Sequence, residues 1–458
     1  MTLAVVILAA GRGTRMKSSL PKILHPIGGL PMVGHVLAAA SGLNPSEIVV
    51  VIPPEARDIE SYLEGLASEG VNIKCAIQQQ ARGTGDAVKA ALAHVSVGVE
   101  RVLVLCGDTP ALTIQTLAKL SEFHESLPQP SLALYAMEPL NPGSYGRLIV
   151  SGQVVSQIVE AAVASPEQLS IKLCNTGVLA ANSQLLEELL NAIEPNAQSG
   201  ELYLTDVVAF AHQRQAPVRF LLGAEEEFVG VNDRVQLAWA EGILQNRWRK
   251  ALMLSGVTLL NPESVYLSFD TLVGQDTVIY PNVYFGTGVK IGQNALIRSF
   301  SFLQQCVVED RVKVGPCAHL RPGARLESGS RVGNFVEIKN SVLAAGSHVD
   351  HLSYIGDATV GANAAIGAGT ITCNYNGFEK FSTAIGEGAF VGSHSTLVAP
   401  VKIGSQSIVA AGSVITQDVP EGALVFARSR QMHREGYAST FRRKALERRQ
   451  KKLEQVKE

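Results

Sequence analysis

From Val273 to Ile415 the sequence keeps step in sixes. Val273, Ile279, Phe285, Ile291, Ile297 and Leu303 are apolar, and after a one-residue slip the phase resumes at Val308, Val314, Leu320, Leu326, Val332 and Ile338. A second slip leads to Leu343, Val349 and Ile355, and a third phase runs Ile385, Val391, Leu397, Ile403, Val409 and Ile415. Glycine often follows the apolar residue, as at Gly274, Gly292, Gly315, Gly333, Gly356, Gly367, Gly386, Gly392 and Gly404. A helix of about 3.6 residues per turn would scatter these side chains around its circumference. A β-sandwich has no reason to hold one phase over so many repeats. A parallel β-helix of hexapeptide repeats does: short flat strands stack, and the aliphatic residue points into a narrow prism. Glycine is then expected at turns of unusual φ.

Ahead of the repeat the chain changes character. Leu3–Ala9, Glu47–Ile52, Ile73–Ile77 and Arg101–Cys106 read as buried strands. Helices are expected over Pro31–Ala40, Ile59–Leu66, Thr84–Val95 and Leu204–Gln213. Such alternation predicts an α/β domain on a doubly wound parallel sheet, with a more β-rich region from about 131 to 180. Asn232–Leu254 reads as one long helix with Val235, Leu237, Ala238, Ile243, Leu244 and Trp248 on its apolar side. The boundaries implied are 1–231 for the α/β domain, 232–254 for the helix and 255–458 for the solenoid with a basic tail. That tail, Arg442–Lys457, reads as helical or frayed.

At 458 residues, 46% hydrophobic and 17% charged, the chain is a folded one of two or three domains. A net charge of −2 provides no general field for nucleic acid or a membrane surface, so an anionic substrate must be held by local groups. No apolar run is long enough to span a bilayer, and Met1–Ala10 reads as a first strand, not a signal peptide. The six scattered cysteines contain no CxxC pair and fit reduced thiols in a cytoplasmic protein.

The first chemical constellation follows the first strand. Gly11 and Gly13 let backbone amides approach a phosphate at the carboxyl edge of the sheet, where ligands bind in such folds. A structural turn would explain the glycines equally well. The loop is neither GxGxxG nor a Walker loop. Lys22 adds a cation after Pro21, and Asp108 ends a core strand at the same edge, where a carboxylate facing a polyphosphate holds Mg²⁺. Asp108 as a helix cap before Pro110 is the bland alternative. Taken together these residues favour nucleotidyl transfer over hydride transfer, because no acidic residue stands at the spacing a ribose contact needs.

The second constellation lies where the repeat breaks, between Thr372 and Ser382. One coil upstream are Asp350, His351 and Tyr354. His351 has the chemistry of a general base near neutral pH, although a lone histidine is as easily structural. Arg321 and Lys339 are 18 residues apart, a spacing that could put both cations on successive coils around one phosphate.

The run LAAGRGTRMKSSLPK, with Gly83-Thr84, Cys106-Gly107-Asp108, Asn175-Thr176-Gly177 and Gly230-Val231-Asn232, resembles the sugar-1-phosphate nucleotidyltransferases. With the solenoid behind it, nearly the whole chain resembles the bacterial bifunctional N-acetylglucosamine-1-phosphate uridyltransferases/glucosamine-1-phosphate N-acetyltransferases. The resemblance implies a left-handed β-helix, a homotrimer with acetyl-CoA between neighbouring prisms, and small-molecule substrates. It implies that Leu8, Ala9, Ala10 and Gly11 hold the nucleotide, that Lys22 contacts phosphate, and that Gln78, Gly83 and Thr84 read the uracil. Cys106, Gly107, Gly146, Glu160 and Asn175 would line the ribose and sugar pocket, and Asp108 and Asn232 would bind Mg²⁺. On the solenoid it implies His351 as the base and Arg321, Lys339 and Tyr354 around the sugar phosphate, with Glu337 behind them. Ala368, Asn374, Tyr375, Ser393, Ala411 and Arg428 would border acetyl-CoA. Ala365 departs from the family pattern, which has Asn before Ile-Gly-Ala-Gly-Thr.

The expectation is therefore an enzyme that acetylates glucosamine 1-phosphate and then transfers UMP from UTP to the product. A nucleotidyltransferase with a non-catalytic, oligomerising solenoid is the alternative. A regulatory subunit with a dead nucleotide site is a third reading, against which the presence of both Lys22 and Asp108 argues.

Overall fold

Alternation within the first strand decides how the N-terminal half is layered. In β1 (Leu3–Leu8), Val5 and Ile7 enter one hydrophobic core and Val6 another, all fully buried. Both faces of the sheet must therefore be covered. The computed structural model describes residues 2–68, 72–197 and 200–455, so Met1 and residues 456–457 of the expected tail helix lie outside the described residues. The chain divides into two units, Met1–Lys290 with Leu303–Gln305, and Ile291–Phe302 with Cys306–Glu458.

In the first unit β1 is followed by β2 (Glu47–Ile52), β3 (Ile73–Ile77), β4 (Arg101–Cys106), β5 (Leu132–Met137), β6 (Arg147–Ser151), β7 (Val154–Val159), β8 (Cys174–Asn182) and β9 (Val218–Leu222). They form one sheet in the order β3-β2-β1-β4-β8-β5-β9-β7-β6. The first four are parallel, with Leu8 opposite Val51 on one side and Cys106 on the other. The β-rich stretch makes the rest of the sheet mixed, because β8 runs antiparallel to both β4 and β5. The tight turn between β6 and β7 likewise permits only an antiparallel pair.

The helices of this unit longer than a single turn are α1 (Met32–Ser41), α2 (Arg57–Ser68), α3 (Thr84–Leu92), α4 (Ile114–Ser126), α5 (Ser183–Ala192), α6 (Asp206–Gln213) and α7 (Arg234–Leu254). Residues of α1, α2 and α4 share a core with Val5 and Ile7, and residues of α3, α5 and α6 share one with Val6. That two-sided cover is the doubly wound arrangement. The expected helix limits hold to within two or three residues.

The long helix α7 starts where Asp233 accepts hydrogen bonds from the amides of Val235 and Gln236, both at 2.9 Å. Its buried side matches the expected one in part: Leu244 is buried, and Leu237 and Trp248 pack against the same cluster. Val235 is 79% exposed and Ala238 is exposed, whereas Ala240, Leu244, Gln245 and Arg249 are buried. Gln245 bonds both peptide groups of Leu267, donating to the carbonyl at 2.6 Å and accepting from the amide at 2.9 Å. Arg249 donates to the Pro262 carbonyl at 2.8 Å. Polar side chains that saturate main-chain groups can be buried, so apolar periodicity alone missed Gln245 and Arg249 and wrongly included Val235 and Ala238.

In the second unit, strands of two to four residues stack into three parallel ladders. One ladder passes through strands beginning at 296, 313, 331, 348, 365, 390, 408 and 424; another through 319, 337, 354, 371, 396 and 414; the third through 307, 325, 342, 358, 383 and 401. Every apolar residue of the six-step series is buried except Val273, which is half-buried. Burying such a side chain is worth about 1.5–3 kcal/mol, so the series supplies a continuous core. The series also runs further than the sequence suggests, through Val360, Ile366 and Thr372, all buried. Thr372 escapes an apolar count, yet its hydroxyl accepts from the Gly356 amide at 2.8 Å and so is satisfied inside the prism.

The glycines after the inward residues have two causes, and the expected left-handed turn is one of them: Gly315 has φ 88°, and Gly288, Gly346, Gly369 and Gly412 elsewhere in the coils also have positive φ. Other residues, such as Asn294, Phe335, Leu352, Asn363 and His394, hold left-handed turn positions as well. Gly333 and Gly392 are required by contact between coils. A Cβ on Gly333 would lie 1.9 Å from the Asp350 carbonyl oxygen, and one on Gly392 would lie 2.4 Å from the Ala411 amide nitrogen.

The C-terminal helix α8 (Tyr437–Gln455) is exposed at all of its described side chains but Thr440, as the basic tail suggests. The six cysteines are free thiols. No helix among the described residues is long and apolar enough to cross a membrane.

Candidate active sites

The parallel pairing of β1 with β4 brings the loop after Leu8 next to Gly107 and Asp108. The Gly107 amide donates to the Leu8 carbonyl at 2.9 Å. Gly13 has φ 59°, and a Cβ there would meet the Lys22 Cβ at 2.5 Å, so glycine lets Lys22 close over the loop. The Lys22 ammonium contacts Asp108 Oδ2 and donates to Asn232 Oδ1 at 3.2 Å. Arg15 Nη2 donates to the same Asn232 oxygen at 3.0 Å. Asn232 is carried in by the chain before α7, where the Val231 amide donates to the Asp108 carbonyl at 2.9 Å. Two oxygen donors therefore face one cation position.

These residues border a cavity of about 590 Å³. Leu8, Ala9, Ala10, Gly11, Lys22, Gln78, Gly83, Thr84, Cys106, Asp108, Glu160 and Asn232 all line it. Gly107, Gly146 and Asn175 are not among the residues lining it, although Gly146 adjoins Glu160, whose carboxylate would lie 3.5 Å from a Cβ there. The Asn175 amide donates to the Gly146 carbonyl at 2.8 Å, and Asn175 faces a small adjoining cavity beside Gly177 and Thr205. Gln78 is buried and spends its amide hydrogens on the Gly83 carbonyl at 3.0 Å and Asp86 at 2.9 Å. Its carbonyl oxygen remains as an acceptor. Burial, and then the Asp108 charge, pushes the Cys106 thiol up to about 12, so it is no nucleophile at neutral pH.

Glu160 differs from an ordinary surface carboxylate. Burial pushes its carboxyl above the usual range; the Thr205 hydroxyl, donating at 2.9 Å, opposes that, and Asp206 and Glu201 add to it. For an acid with a raised folded pKa, the unfolded chain ionises first as pH rises. Stability then falls from about pH 4.5 up through the folded pKa. Glu160→Gln, which keeps the Thr205 contact, is expected to unfold at a higher temperature than the parent at about pH 8. The gap should shrink toward about pH 5 in thermal denaturation. A gap independent of pH would mean that Glu160 carries no desolvation penalty.

On the solenoid, register builds the second site. His319 pairs with Glu337, which puts Arg321 over Lys339 on the next coil, and Lys339 pairs in turn with Gly356. Arg321 Nη1 contacts Glu337 Oε1 at 2.7 Å. Tyr354 stacks over Glu337, and its hydroxyl accepts from Asn374 Nδ2 at 3.4 Å. The same Asn374 nitrogen donates to Asp357 Oδ2 at 2.5 Å. A Cβ on Gly356 would lie 2.4 Å from the Tyr354 hydroxyl, so glycine makes this cluster possible. Burial alone would raise the Asp357 carboxyl, but hydrogen bonds from Asn340 and Asn374 and the Lys339 charge hold it below the usual range.

His351, Ala368, Ser393 and Ala411 form one column at a single corner of the prism. Each precedes the residue that reaches back to the coil before: the Gly369 amide donates to the His351 carbonyl, that of His394 to Ala368, and that of Gly412 to Ser393, at 3.0, 2.7 and 2.8 Å. Arg428 follows the next coil and is exposed. His351 is exposed as well, with its ring outside the core. Asn374 and Tyr375 belong to the loop at the following corner, where the Tyr375 hydroxyl donates to the Gly377 carbonyl at 2.5 Å. Ala365, half-buried in the strand Ala365–Ile366, presents no polar group.

Two sequence families match the two halves. Residues 5–167 match the MobA-like NTP transferase domain, and residues 270–305 and 382–417 match the bacterial transferase hexapeptide (six repeats). The chain is 45% identical to the Bifunctional protein GlmU of Paramagnetospirillum magneticum, over 98% of this chain and 99% of that one. The chain belongs to the GlmU family. GlmU proteins of Bradyrhizobium sp. and Zymomonas mobilis are 45% and 42% identical, each over 96% of this chain and 97% and 98% of theirs. As a GlmU chain it joins a nucleotidyltransferase domain to a left-handed β-helix of hexapeptide repeats. Relative to the GlmU resemblance read from sequence, three polar residues were missed: Arg15 on Asn232, Asp357 on Asn374, and Asn334 on His351. Arg15 stands inside the motif that carries the likeness, two residues after Gly13, and Asn334 stands one coil before His351.

Proposed function

We propose that the two constellations divide the two transfers of UDP-N-acetylglucosamine synthesis between them. The chain is a bifunctional enzyme of that synthesis: glucosamine 1-phosphate is acetylated from acetyl-CoA, and UMP from UTP is then joined to N-acetylglucosamine 1-phosphate. Uridylyl transfer belongs to residues 1–231, residues 232–254 connect, and acetyl transfer belongs to residues 255–458. The observation that carries the reading is the Lys22 ammonium between Asp108 and Asn232 at the carboxyl edge of the sheet, in a chain whose solenoid also carries an exposed histidine and, on successive coils, two stacked cations.

In uridylyl transfer a phosphate oxygen of N-acetylglucosamine 1-phosphate attacks the α-phosphorus of UTP, and pyrophosphate leaves. The loop Leu8–Gly11 supports the nucleotide, and Gln78, Gly83 and Thr84 face the base. Gly107, Gly146, Glu160 and Asn175 hold the sugar end. Lys22 and Arg15 carry the positive charge that meets charge developing on the phosphates. Asp108 and Asn232 fit Mg²⁺: a carboxylate and an amide oxygen are hard donors aimed at one position. No group of three acidic, histidine or cysteine ligands occurs among the described residues, so phosphate oxygens and water would complete its shell. When bound, the ion neutralises phosphate charge.

In acetyl transfer Arg321, Lys339 and Tyr354 hold the sugar phosphate. His351 takes the proton from the amine as the amine nitrogen bonds to the acetyl carbon, and coenzyme A leaves as the thiol. Ala368, Ser393 and Ala411 offer a smooth column along which acetyl-CoA can lie, with Asn374, Tyr375 and Arg428 at its margins. A homotrimer, with the cofactor between neighbouring prisms, and a cytoplasmic location complete the proposal.

A two-stage assay tests it. Purified protein receives glucosamine 1-phosphate, acetyl-CoA, UTP and Mg²⁺, with thiol and pyrophosphate followed separately. Thiol release should precede pyrophosphate release and be required for it. Pyrophosphate release from supplied N-acetylglucosamine 1-phosphate, without thiol release from acetyl-CoA, would favour the non-catalytic solenoid.

A further inference from the structure

A histidine acts as a base through one nitrogen, and which nitrogen is free depends on what the other one touches. We propose that Asn334 is a positioning residue for acetyl transfer: its side-chain oxygen accepts the Nδ1–H of His351, leaving Nε2 as the basic nitrogen facing the substrate. The proposal rests on His351 being the base.

The fold makes the contact obligatory. The strand Arg331–Asn334 pairs in parallel with His348–His351, and Asn334 stands directly opposite His351. Parallel strands in register point equivalent side chains the same way. The Asn334 oxygen closes on His351 Nδ1 in a short contact. Both residues are held by their main chains: the Leu352 amide donates to the Asn334 carbonyl at 3.0 Å, and the Gly369 amide to the His351 carbonyl at 3.0 Å. The Ser353 hydroxyl donates to the same His351 carbonyl at 2.9 Å. Beside them a two-pronged ion pair, Arg331 Nε and Nη2 to the two Asp350 oxygens at 2.6 Å each, locks these strands in register. Gly333 allows the close approach, since a Cβ there would collide with the Asp350 carbonyl.

The chemistry favours an amide over an acid here. A carboxylate on Nδ1 would stabilise the imidazolium and raise the pH at which the base becomes available. The amide fixes the tautomer and does not titrate. The titratable groups on the two strands are Arg331, His348 and Asp350. Arg331 and Asp350 are spent on each other, so Asn334 is the side chain bonded to the ring.

Asn334→Ala, Asn334→Asp and His351→Ala, made in the full chain, test this, with pyrophosphate release as the check on folding. Loss of a partner that orients a functional histidine costs about 10–100-fold. Asn334→Ala is expected to lower kcat for acetyl transfer by that factor with little change in KM for glucosamine 1-phosphate. Asn334→Asp should restore much of kcat while moving the acid limb of the kcat/KM profile up by about one pH unit. A merely structural asparagine would leave the limb in place, and an unmoved limb in Asn334→Asp overturns the proposal. So does full activity in Asn334→Ala while His351→Ala is inactive. If His351→Ala itself keeps acetyl transfer, the assignment of the base has failed, and the role of Asn334 falls with it.

Discussion

Asp108→Asn is expected to lower uridylyl transfer by about 10²–10³-fold and to leave acetyl transfer intact. The size follows from what the carboxylate does. Removing one preorganised electrostatic partner of a charged transition state costs about that factor. The substitution preserves volume, and the Asp108 carbonyl still accepts from Val231, so the local backbone has no cause to move. What disappears is the negative charge opposite Lys22, and with it the stronger of the two oxygen donors for Mg²⁺. The drop should therefore be partly relieved by raising the metal concentration. Initial rates of pyrophosphate release across a Mg²⁺ titration, with coenzyme A release measured on the same preparation, decide the matter. Equal loss of both activities would indicate misfolding or a shared site, and no loss would remove Asp108 from the reaction.

His351→Ala should show the opposite pattern, with acetyl transfer reduced by about 10²–10⁴-fold, the range for a positioned general base. Its ring is exposed and contributes nothing to the prism core, so stability should change little. The imidazole must be neutral to accept the amine proton, so the parent's activity falls as the ring protonates on the acid side. The alanine variant loses that limb altogether. A pH series of thiol release with glucosamine 1-phosphate in excess reads both features. Unchanged thiol release would exclude His351, and a fall in pyrophosphate release from pre-acetylated substrate would place the fault in folding.

Much of this was legible because the solenoid writes its architecture into one number. A side chain at each sixth place has to be apolar, and residues from Ile279 to Ile415 oblige. What escaped notice broke that rule for local reasons. Thr372 sits inside because its hydroxyl finds the Gly356 amide, and hydropathy cannot register such a bond. Gln245 and Arg249 occupy the buried side of α7 because they saturate main-chain groups of a distant loop, displacing Val235 to solvent. The glycines were legible in part: Gly315 takes the expected left-handed turn, but at Gly333 and Gly392 contact between coils leaves no trace distinct from turn preference. For the candidate sites, motif residues such as Lys22 and Asp108 could be named from chain order and strand ends. Their partners could not, because Arg15 meets Asn232 across 217 positions. Asn334 is an exception. It lies 17 residues before His351, one coil of this prism, and counting coils would have found it.

The column through Asn334, His351, Ala368, Ser393 and Ala411 also limits how such a chain can drift in length. Coils of 17 and of 18 residues both stack in register here, as from Arg331 to His348 and from Phe390 to Ile408, because a corner absorbs the difference; a one-residue change inside a strand would instead turn its inward side chain out of the prism. The excursion from Asn374 to Ser382 leaves and rejoins the prism at one corner, and lengthening a loop of that kind costs little. Variation in length among functional relatives should therefore gather at corners, this one above all, and the strands on either side should keep their phase.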